Sequence, residues 1–244
     1  MSRDDIFDDS RPRGSDFTFN AEVAAVFDNM IARSVPFYQE QQRMIVEVVK
    51  RYWRPGTDVY DLGCATGTTL INLGHALEGP GRLVGYDNSE AMLQQARGAV
   101  ATEGLANRVE LRHGDLDQHP EELALDGAGA VLLCWTLQFV RPLQREALIR
   151  RVHDSLADGG VLVVTEKVLS NARALDRDFI DFYYAFKARS GYTKTEIHKK
   201  REALENVLVP YRIDENKKMF RRNGFGAVDS FFQWFNFVGF LCVK

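Results

Sequence analysis

The sequence predicts an α/β protein built on a mostly parallel, seven-stranded sheet. Three observations support this class: apolar segments of strand length alternate with helical periodicity, those strands are almost continuously apolar, and an aromatic segment near the carboxyl end has the length of a hairpin. Alternation implies βαβ units, and continuous apolarity implies that helices cover both faces of the sheet. The 244 residues suit one such domain with additional helices.

The amino-terminal elements follow in a regular order. Two helices are predicted first, and Pro36 separates them because the residue before a proline disfavours the helical conformation. Five strands and three intervening helices come next. The first two helices are predicted at 21–32 and 37–53. The strands are predicted at 58–62, 82–86, 108–112, 130–135 and 161–165. The intervening helices are predicted at 68–77, 91–103 and 143–156, and a turn at 158–160 precedes the fifth strand.

The last third of the chain adds a helical insertion and a closing hairpin. Periodicity predicts helices at 173–189, 194–208 and 215–223. The aromatic segment 228–240 is interrupted at Asn236, which indicates two antiparallel strands. A hairpin that closes five βα units is typical of the Rossmann-like methyltransferase fold, whereas a plain dinucleotide fold would continue in parallel. We expect a single domain over 17–244 with a helical lid around 171–209, and a flexible tail over 1–16.

Composition narrows the classes of function. The formal net charge is -3 and the pI is about 6.0, which argues against a sequence-independent grip on nucleic acid. The three cysteines form no CxxC pair and the histidines form no HExxH motif, so neither a disulfide framework nor a metal is expected. No segment has the length of a membrane span, and we expect a cytoplasmic protein.

A turn containing two glycines follows the first predicted strand and is the strongest local signal. It reads Asp61-Leu62-Gly63-Cys64-Ala65-Thr66-Gly67. Gly63 and Gly67 allow the backbone to pass close to a ligand, and the next helix points its amide end there. Ala65 stands where a dinucleotide fingerprint has its middle glycine, which a pyrophosphate needs for close approach. The turn therefore favours S-adenosylmethionine over NAD.

Acids stand at the carboxyl ends of the first three predicted strands: Asp61, Asp87 and Asp115. Ligands of open α/β sheets bind at this carboxyl edge. Asp61 can bind the cofactor's ammonium directly or through water, Asp87 can accept the ribose hydroxyls, and Asp115 can bind the adenine amine. Each acid alone could equally be a cap or turn residue. The three together indicate a cofactor site.

Three further residues admit two interpretations each. Arg201 shares an apolar helical face with Ile197, Leu204 and Leu208, where an arginine usually snorkels or pairs in an interface. The sharper alternative is bidentate pairing with a buried carboxylate. Tyr38 suits either the core or a cover over the cofactor. Cys64 suits packing, since a nucleophilic thiol needs a base and no histidine lies near it in the sequence.

Longer stretches of the chain resemble one family closely: the carboxy-S-adenosyl-L-methionine synthases of the bacterial tRNA wobble-uridine 5-oxyacetate pathway. The resemblance covers almost the whole chain. Its most specific parts are Arg33-Ser34-Val35-Pro36-Phe37-Tyr38 and Thr136-Leu137-Gln138-Phe139. Other matching stretches are 26–31, 55–57, 59–64, 87–89, 166–167, 190–192, 200–201, 204–207 and 234–237.

The resemblance implies a set of binding residues and two departures from the family. Arg201 is implied to hold the carboxylate of the product, in an arrangement that could reach across a homodimer interface. Ala65 replaces a usual serine. Cys134 replaces a usual asparagine at a contact position, followed by Trp135 for phenylalanine, and a thiol hydrogen-bonds only weakly. The implied cofactor contacts are Tyr38, Gly63, Cys64, Ala65, Asp87, Asn88, Asp115 and Leu116.

The reaction implied by the resemblance converts S-adenosylmethionine and prephenate to carboxy-S-adenosylmethionine and phenylpyruvate. The product would be the carboxymethyl donor for tRNA wobble-uridine modification. The protein's tasks would be positioning and exclusion of water, so no strong general base is required. No metal, membrane or direct nucleic-acid contact is expected. The sequence leaves two alternatives open: a methyltransferase acting on a small molecule or tRNA, and a non-catalytic cofactor-binding partner of a tRNA-modifying enzyme.

Overall fold

A seven-stranded sheet organises the chain, in a computed structural model that describes residues 4–8 and 16–244. The strand order is β3-β2-β1-β4-β5-β7-β6. Strands β1 to β5 pair in parallel, and β7 lies antiparallel between β5 and β6. The strands are β1 Asp58–Leu62, β2 Leu83–Asp87, β3 Val109–His113, β4 Ala128–Cys134, β5 Leu156–Lys167, β6 Ala227–Trp234 and β7 Phe237–Val243. The predicted methyltransferase variant of the doubly wound sheet is confirmed.

Helices cover both faces of this sheet. The α-helices are α1 Ala21–Ser34, α2 Tyr38–Tyr52, α3 Thr68–Ala76, α4 Glu90–Thr102, α5 Pro142–Ser155, α6 Asp176–Arg189, α7 Lys194–Leu204 and α8 Ile213–Arg222. Val59 packs into the core beneath α2, α3 and α4, whereas the next residue, Tyr60, packs into the core beneath α5 and α8. Alternation along β1 thus explains its continuous apolarity. In the part of the chain that the structure describes, no helix has the length and apolarity to cross a bilayer.

The largest differences from the predicted boundaries occur in two elements, β5 and α7. The predicted turn at 158–160 is part of β5, where Gly159 has φ +74° and the register with β4 shifts. Strand β5 also extends to Lys167, because pairing with β7 continues to the register pair Lys167 and Phe237. Helix α7 ends at Leu204 instead of 208, and the N–H of Val209 donates to the Gln138 carbonyl at 2.9 Å. Hydrogen bonds to other parts of the fold therefore set the boundaries of β5 and α7.

Residues near the start of the chain make contacts with other parts of the fold. Asp4 is buried, and the Tyr192 hydroxyl donates to its carboxylate at 2.5 Å. The ring of Phe7 stacks with that of Phe17, with centroids 6.3 Å apart. Residues 4–8 thus contact the folded domain through a buried acid and an aromatic ring, and flexibility of the tail over 1–16 stays a prediction. The rest of the predicted tail, apart from Asp16, lies outside the described residues.

A buried arginine connects α5 to the loops at the carboxyl edge of the sheet. The Arg145 guanidinium donates to the carbonyls of Val140 (2.9 Å), Gln138 (3.2 Å) and Val209 (2.7 Å). It also lies 4.3 Å from the ring centroid of Tyr211. Arg145 is fully buried, so these carbonyls have no ready replacement donor from water. This one side chain therefore fixes the segment after β4 against the segment after α7.

We expect Arg145→Met to destabilise the protein strongly. The substitution nearly keeps the volume of the side chain, but it removes the donor to the carbonyls of Val140 and Val209 and one of two donors to the Gln138 carbonyl. Each buried carbonyl left without a donor costs about 1–3 kcal/mol. Urea unfolding would measure this loss. Arg177→Met is the matched control, since Arg177 is exposed on α6 and pairs only with Asp181. Equal stability of the two variants would contradict the role assigned to Arg145.

Candidate active site

A cavity of about 790 Å³ lies at the carboxyl edge of the sheet. Residues at or just after the ends of β1 to β5 form its floor, and side chains of α1, α2, α6 and α7 form its walls. All eleven residues proposed from the sequence line this one cavity. They are Tyr38, Asp61, Gly63, Cys64, Ala65, Asp87, Asn88, Asp115, Leu116, Cys134 and Arg201.

The glycine turn after β1 has the backbone that its sequence predicts. Gly63 adopts φ +83° and Gly67 φ +84°, a region that disfavours residues with a Cβ. A Cβ on Gly63 would lie 2.4 Å from the hydroxyl of Thr136, so space as well as conformation requires glycine there. Ala65 also has positive φ, +47°, and its N–H donates to the Asp87 carboxylate at 2.9 Å. Asp87 therefore holds the turn closed.

The acids at the strand ends differ in how well the protein satisfies them. Asp87 accepts from the N–H groups of Ala65 and Ser89, both at 2.9 Å. Asp115 accepts from the N–H of Asp117 at 2.8 Å. Asp61 is 1% exposed, and its Oδ1 has no hydrogen-bond partner among the described residues. An unsatisfied buried carboxylate oxygen is costly, so this position suits a donor, such as an ammonium, that a ligand brings.

Burial is the main cause of the raised pKa values around the turn after β1. It raises the pKa of Asp61 to about 7, with a further contribution from the negative charge of Asp87. Burial also raises the pKa of the Tyr38 phenol, which begins α2 beside Cys134 and Asp28. The phenol therefore stays protonated and can donate a hydrogen bond. The same cause raises the pKa of the thiols of Cys64 and Cys134.

The raised thiol pKa values bear on the chemistry available at the turn. Both cysteines remain thiols near neutral pH, and a thiol is a poor nucleophile compared with a thiolate. This agrees with the interpretation of Cys64 as a packing residue. Its sulfur lies close to Gly85, where an added Cβ would be only 2.7 Å from it. Cys134 ends β4 at the cavity wall, where it offers only a weak S–H donor. Covalent catalysis by either cysteine is disfavoured.

Arg201 lies on α7 and lines the cavity of its own chain. The apolar face predicted around it is only partly realised: Ile197 is buried and Leu204 half-buried, whereas Leu208 lies beyond the end of the helix. Arg201 itself is exposed, and its positive charge contributes to lowering the pKa of Lys167. Its guanidinium therefore lines the cavity from an exposed position, and it pairs with no carboxylate of residues 4–8 or 16–244.

Four residues with polar groups line the cavity but were not proposed as binding residues from the sequence: Trp135, Lys167, Lys187 and Lys200. Lys187 is 4% exposed and Lys200 6%. Burial lowers the pKa of both lysines, to about 8 for Lys200. Lys167 had a usable signal, since it follows the fifth predicted strand and therefore belongs to the same sheet edge as Asp61. Lys187 and Lys200 stand on helices of the insertion, whose facing no simple pattern predicts.

The structure also shows where metal-binding side chains gather. Within residues 4–8 and 16–244, one group of three candidate ligands has its atoms within 4.8 Å of one another, namely His119, Glu121 and Glu122. All three side chains are exposed, and none lines the cavity.

Comparisons of the sequence identify close relatives of the whole chain. The profile of a methyltransferase domain family matches residues 59–160. A carboxy-S-adenosyl-L-methionine synthase from Methylococcus capsulatus is 51% identical over 245 residues, covering 100% of both chains. Proteins of the same name from Desulfotalea psychrophila (44% identity, 99% of this chain and 97% of the relative) and from Nitratiruptor sp. (42%, 100% and 99%) are also similar.

Comparisons of the structure support the fold. A putative O-methyltransferase from Nostoc punctiforme has a TM-score of 0.64 and 18% identity, covering 92% of this chain and 59% of its own. A complex of a Haloferax volcanii methyltransferase activator with a putative methyltransferase gives a TM-score of 0.62 at 17% identity, covering 91% and 96%. At these identities the likeness shows the shared methyltransferase architecture.

Replacing Asp61 with asparagine should stabilise the ligand-free protein while weakening cofactor binding. An ordinary aspartate has a pKa of about 3.9 in the unfolded chain. Because burial raises the pKa of Asp61 to about 7, the native state resists its ionisation, and this cost grows between pH 4 and 8. The stability gain of Asp61→Asn should therefore be larger at pH 8 than at pH 5. Urea unfolding at both pH values measures it.

Binding provides the second half of this test. Asp61→Asn should bind S-adenosylhomocysteine, which carries the same amino-acid tail as the cofactor, more weakly than the wild type. Asp126→Asn removes an exposed carboxylate outside the cavity and should change neither property. A gain in stability without a loss of binding would show that Asp61 does not meet the ligand's ammonium.

Proposed function

This chain belongs to the carboxy-S-adenosyl-L-methionine synthase family, and from that premise we propose that it converts S-adenosylmethionine and prephenate into carboxy-S-adenosylmethionine and phenylpyruvate. It is an enzyme of the transferase class. The observation that carries the proposal is one cavity lined by groups of opposite charge. They are an unsatisfied buried carboxylate, Asp61, and a cation on the helical insertion, Arg201.

The part of the cavity around the turn after β1 suits S-adenosylmethionine. Asp61 offers an acceptor for the ammonium, Asp87 for the ribose hydroxyls and Asp115 for the adenine amine. The turn after β1 leaves backbone exposed where Gly63 permits close approach. When bound, S-adenosylmethionine supplies a methyl group that its sulfonium makes acidic. Tyr38, Cys64, Ala65, Asn88, Leu116 and Cys134 complete the proposed contacts.

In the proposed reaction prephenate gives up one carboxyl group and its ring hydroxyl as the ring becomes aromatic. The carboxyl group ends on the methyl carbon of S-adenosylmethionine, and the hydroxyl leaves as water with one methyl proton. The protein contributes position and a dry environment. Trp135, Tyr183 and Phe237 form an apolar cluster in the cavity wall, which limits access of water to the reacting groups. No strong protein base is required.

Arg201 accounts for discrimination between substrate and product in this proposal. A guanidinium repels the cationic sulfonium of S-adenosylmethionine, whereas it pairs with the carboxylate that the reaction adds. Arg201 is exposed and lines the cavity, and its charge acts on Lys167 at the end of β5. The cavity thus retains the carboxylated product more strongly than its precursor.

We also propose that two copies of the chain form a homodimer and that the product is used in tRNA modification. A cluster of aromatic side chains on α6 and the β6–β7 turn is exposed, with Phe182 46% exposed and Phe235 37%. Exposed apolar clusters of this kind often mark interfaces, and this one supports a homodimer. We further propose that the product leaves as the carboxymethyl donor for tRNA wobble-uridine modification in the cytoplasm, without direct contact between this chain and nucleic acid.

The test is incubation with S-adenosylmethionine and prephenate, followed by mass spectrometry. We expect carboxy-S-adenosylmethionine and phenylpyruvate in equal amounts. Accumulation of S-adenosylhomocysteine with a methylated acceptor would instead identify a methyltransferase. Cofactor binding without any product in folded protein would identify a non-catalytic binding partner. Either of these outcomes contradicts the proposed reaction.

Arg201→Ala should separate product binding from cofactor binding. We expect the affinity for carboxy-S-adenosylmethionine to fall about tenfold, the effect of one charge-assisted hydrogen bond partly exposed to solvent. The affinity for S-adenosylmethionine should not fall, because the substitution removes a charge that repels its sulfonium. Calorimetry with both ligands measures the difference. Arg177→Ala, an exposed arginine of α6 outside the cavity, is the control. Equal losses for both ligands would refute the selectivity assigned to Arg201.

A further inference from the structure

The wall of the cavity formed by β5, α6 and α7 collects positive charge. Lys167, Lys187, Lys200 and Arg201 all line it. Lys200 has partners within the protein, since its Nζ donates to the Ser34 hydroxyl at 3.0 Å and lies 4.0 Å from the Asp4 carboxylate. The charge of Lys200 is therefore compensated without a ligand.

Among the described residues, the ammonium groups of Lys167 and Lys187 make no direct polar contact of this kind. In the ranges 4–8 and 16–244, neither ammonium has a hydrogen-bond acceptor or an ion-pair partner, and Lys187 is 4% exposed. Both lie against the ring of Tyr183, at 4.9 Å for Lys167 and 5.3 Å for Lys187. Lys187 also lies 5.4 Å from the ring of Tyr192. Aromatic rings offset only part of the cost of burying an ammonium.

A third donor in the same wall is also unsatisfied. The indole N–H of Trp135 is buried, and it has no acceptor among the described residues. Trp135 follows β4 with φ +62°, an unusual conformation for a bulky residue, and this backbone directs its ring into the cavity wall. Its ring lies 5.6 Å from that of Phe237, which lies 4.9 Å from that of Tyr183. Two cations and one neutral donor thus share an aromatic enclosure without acceptors.

We propose that Lys167, Lys187 and the indole N–H of Trp135 form the binding subsite for a dicarboxylate with an apolar body. The inference rests on the proposed function in that this dicarboxylate is the carboxyl donor. Both ammonium groups lie over the ring of Tyr183, so the distance between them is at most the sum of their distances to its centroid. Two carboxylates of one small molecule can lie within that distance of each other. Tyr183 and Phe237 pack against its body.

This wall of the cavity suits a ligand that carries two negative charges. One carboxylate would leave one of the two ammonium groups without a direct partner. Asp4 and Glu196 act on Lys187 only at longer range, and Asp4 lies 4.0 Å from Lys200. Burial lowers the pKa of Lys167 to about 8, and binding of a carboxylate would favour the charged ammonium again. Arg201 then remains available for the carboxylate that the reaction creates.

The experiment measures binding without turnover. Protein saturated with S-adenosylhomocysteine, which has no methyl to transfer, is titrated with prephenate by calorimetry. We expect Lys187→Met and Lys167→Met each to weaken binding about tenfold or more, and Trp135→Phe only a few-fold, since charged hydrogen bonds are stronger than neutral ones. The affinity for S-adenosylhomocysteine should not change. Lys218→Met removes an exposed lysine outside the cavity and is the control.

Thermal unfolding of the ligand-free protein distinguishes a binding role from a structural one. Lys187→Met should raise the melting temperature, because it replaces an unpaired buried ammonium by an apolar chain of similar length. Lys200→Met should lower it, because it removes the ammonium that donates to the Ser34 hydroxyl and that lies 4.0 Å from the buried Asp4 carboxylate. A lower melting temperature for Lys187→Met would mean that Lys187 is a structural residue and would overturn its assignment.

The outcomes separate this inference from the proposed reaction. Wild-type protein that binds prephenate in a Lys187-dependent manner but forms no carboxylated product supports the subsite and contradicts the reaction. Product formation with undiminished prephenate binding by both lysine variants overturns the subsite alone. Equal binding of phenylpyruvate, a monocarboxylate, or no binding of prephenate by the wild type, also overturns the dicarboxylate subsite.

Discussion

Burial of unpaired charge at the carboxyl edge of the sheet is the constraint on which the site depends. Asp61 at the end of β1 and Lys187 on α6 are almost fully buried. Within residues 4–8 and 16–244, the Oδ1 of Asp61 has no hydrogen-bond partner, and the Lys187 ammonium makes only aromatic contacts. Such groups lower the free energy of unfolding, and proteins retain them mainly where a ligand completes them. The opposite signs of these two residues imply a cationic ligand group near one and an anionic ligand group near the other.

The rest of the fold holds these groups in place. The turn after β1 depends on glycine at position 63, because a side chain there would collide with Thr136. The carboxylate of Asp87 closes the same turn from the next strand. On the opposite side, Arg145 fixes the carbonyls of the loops after β4 and α7, whose residues line the cavity. These contacts therefore keep the unpaired charged groups in place around the cavity.

The acids of this site could be predicted from the sequence, whereas its lysines on the helical insertion could not. Parallel strands bring their carboxyl ends to one edge whatever their separation in the chain, so Asp61, Asp87 and Asp115 were predictable from strand order. Lys187 stands on a helix whose orientation depends on tertiary packing of the insertion. The buried state of Asp4 was equally hidden, because its partners, Tyr192 and Lys200, lie almost two hundred residues away.

Native mass spectrometry of the protein as it is purified from cells tests the central claim most directly, because it identifies the small molecule that the cavity retains. The account predicts a bound mass equal to that of carboxy-S-adenosylmethionine, and the loss of this species in Arg201→Ala. Retention of only S-adenosylmethionine or S-adenosylhomocysteine by the wild type, at the same occupancy as in Arg201→Ala, would contradict it.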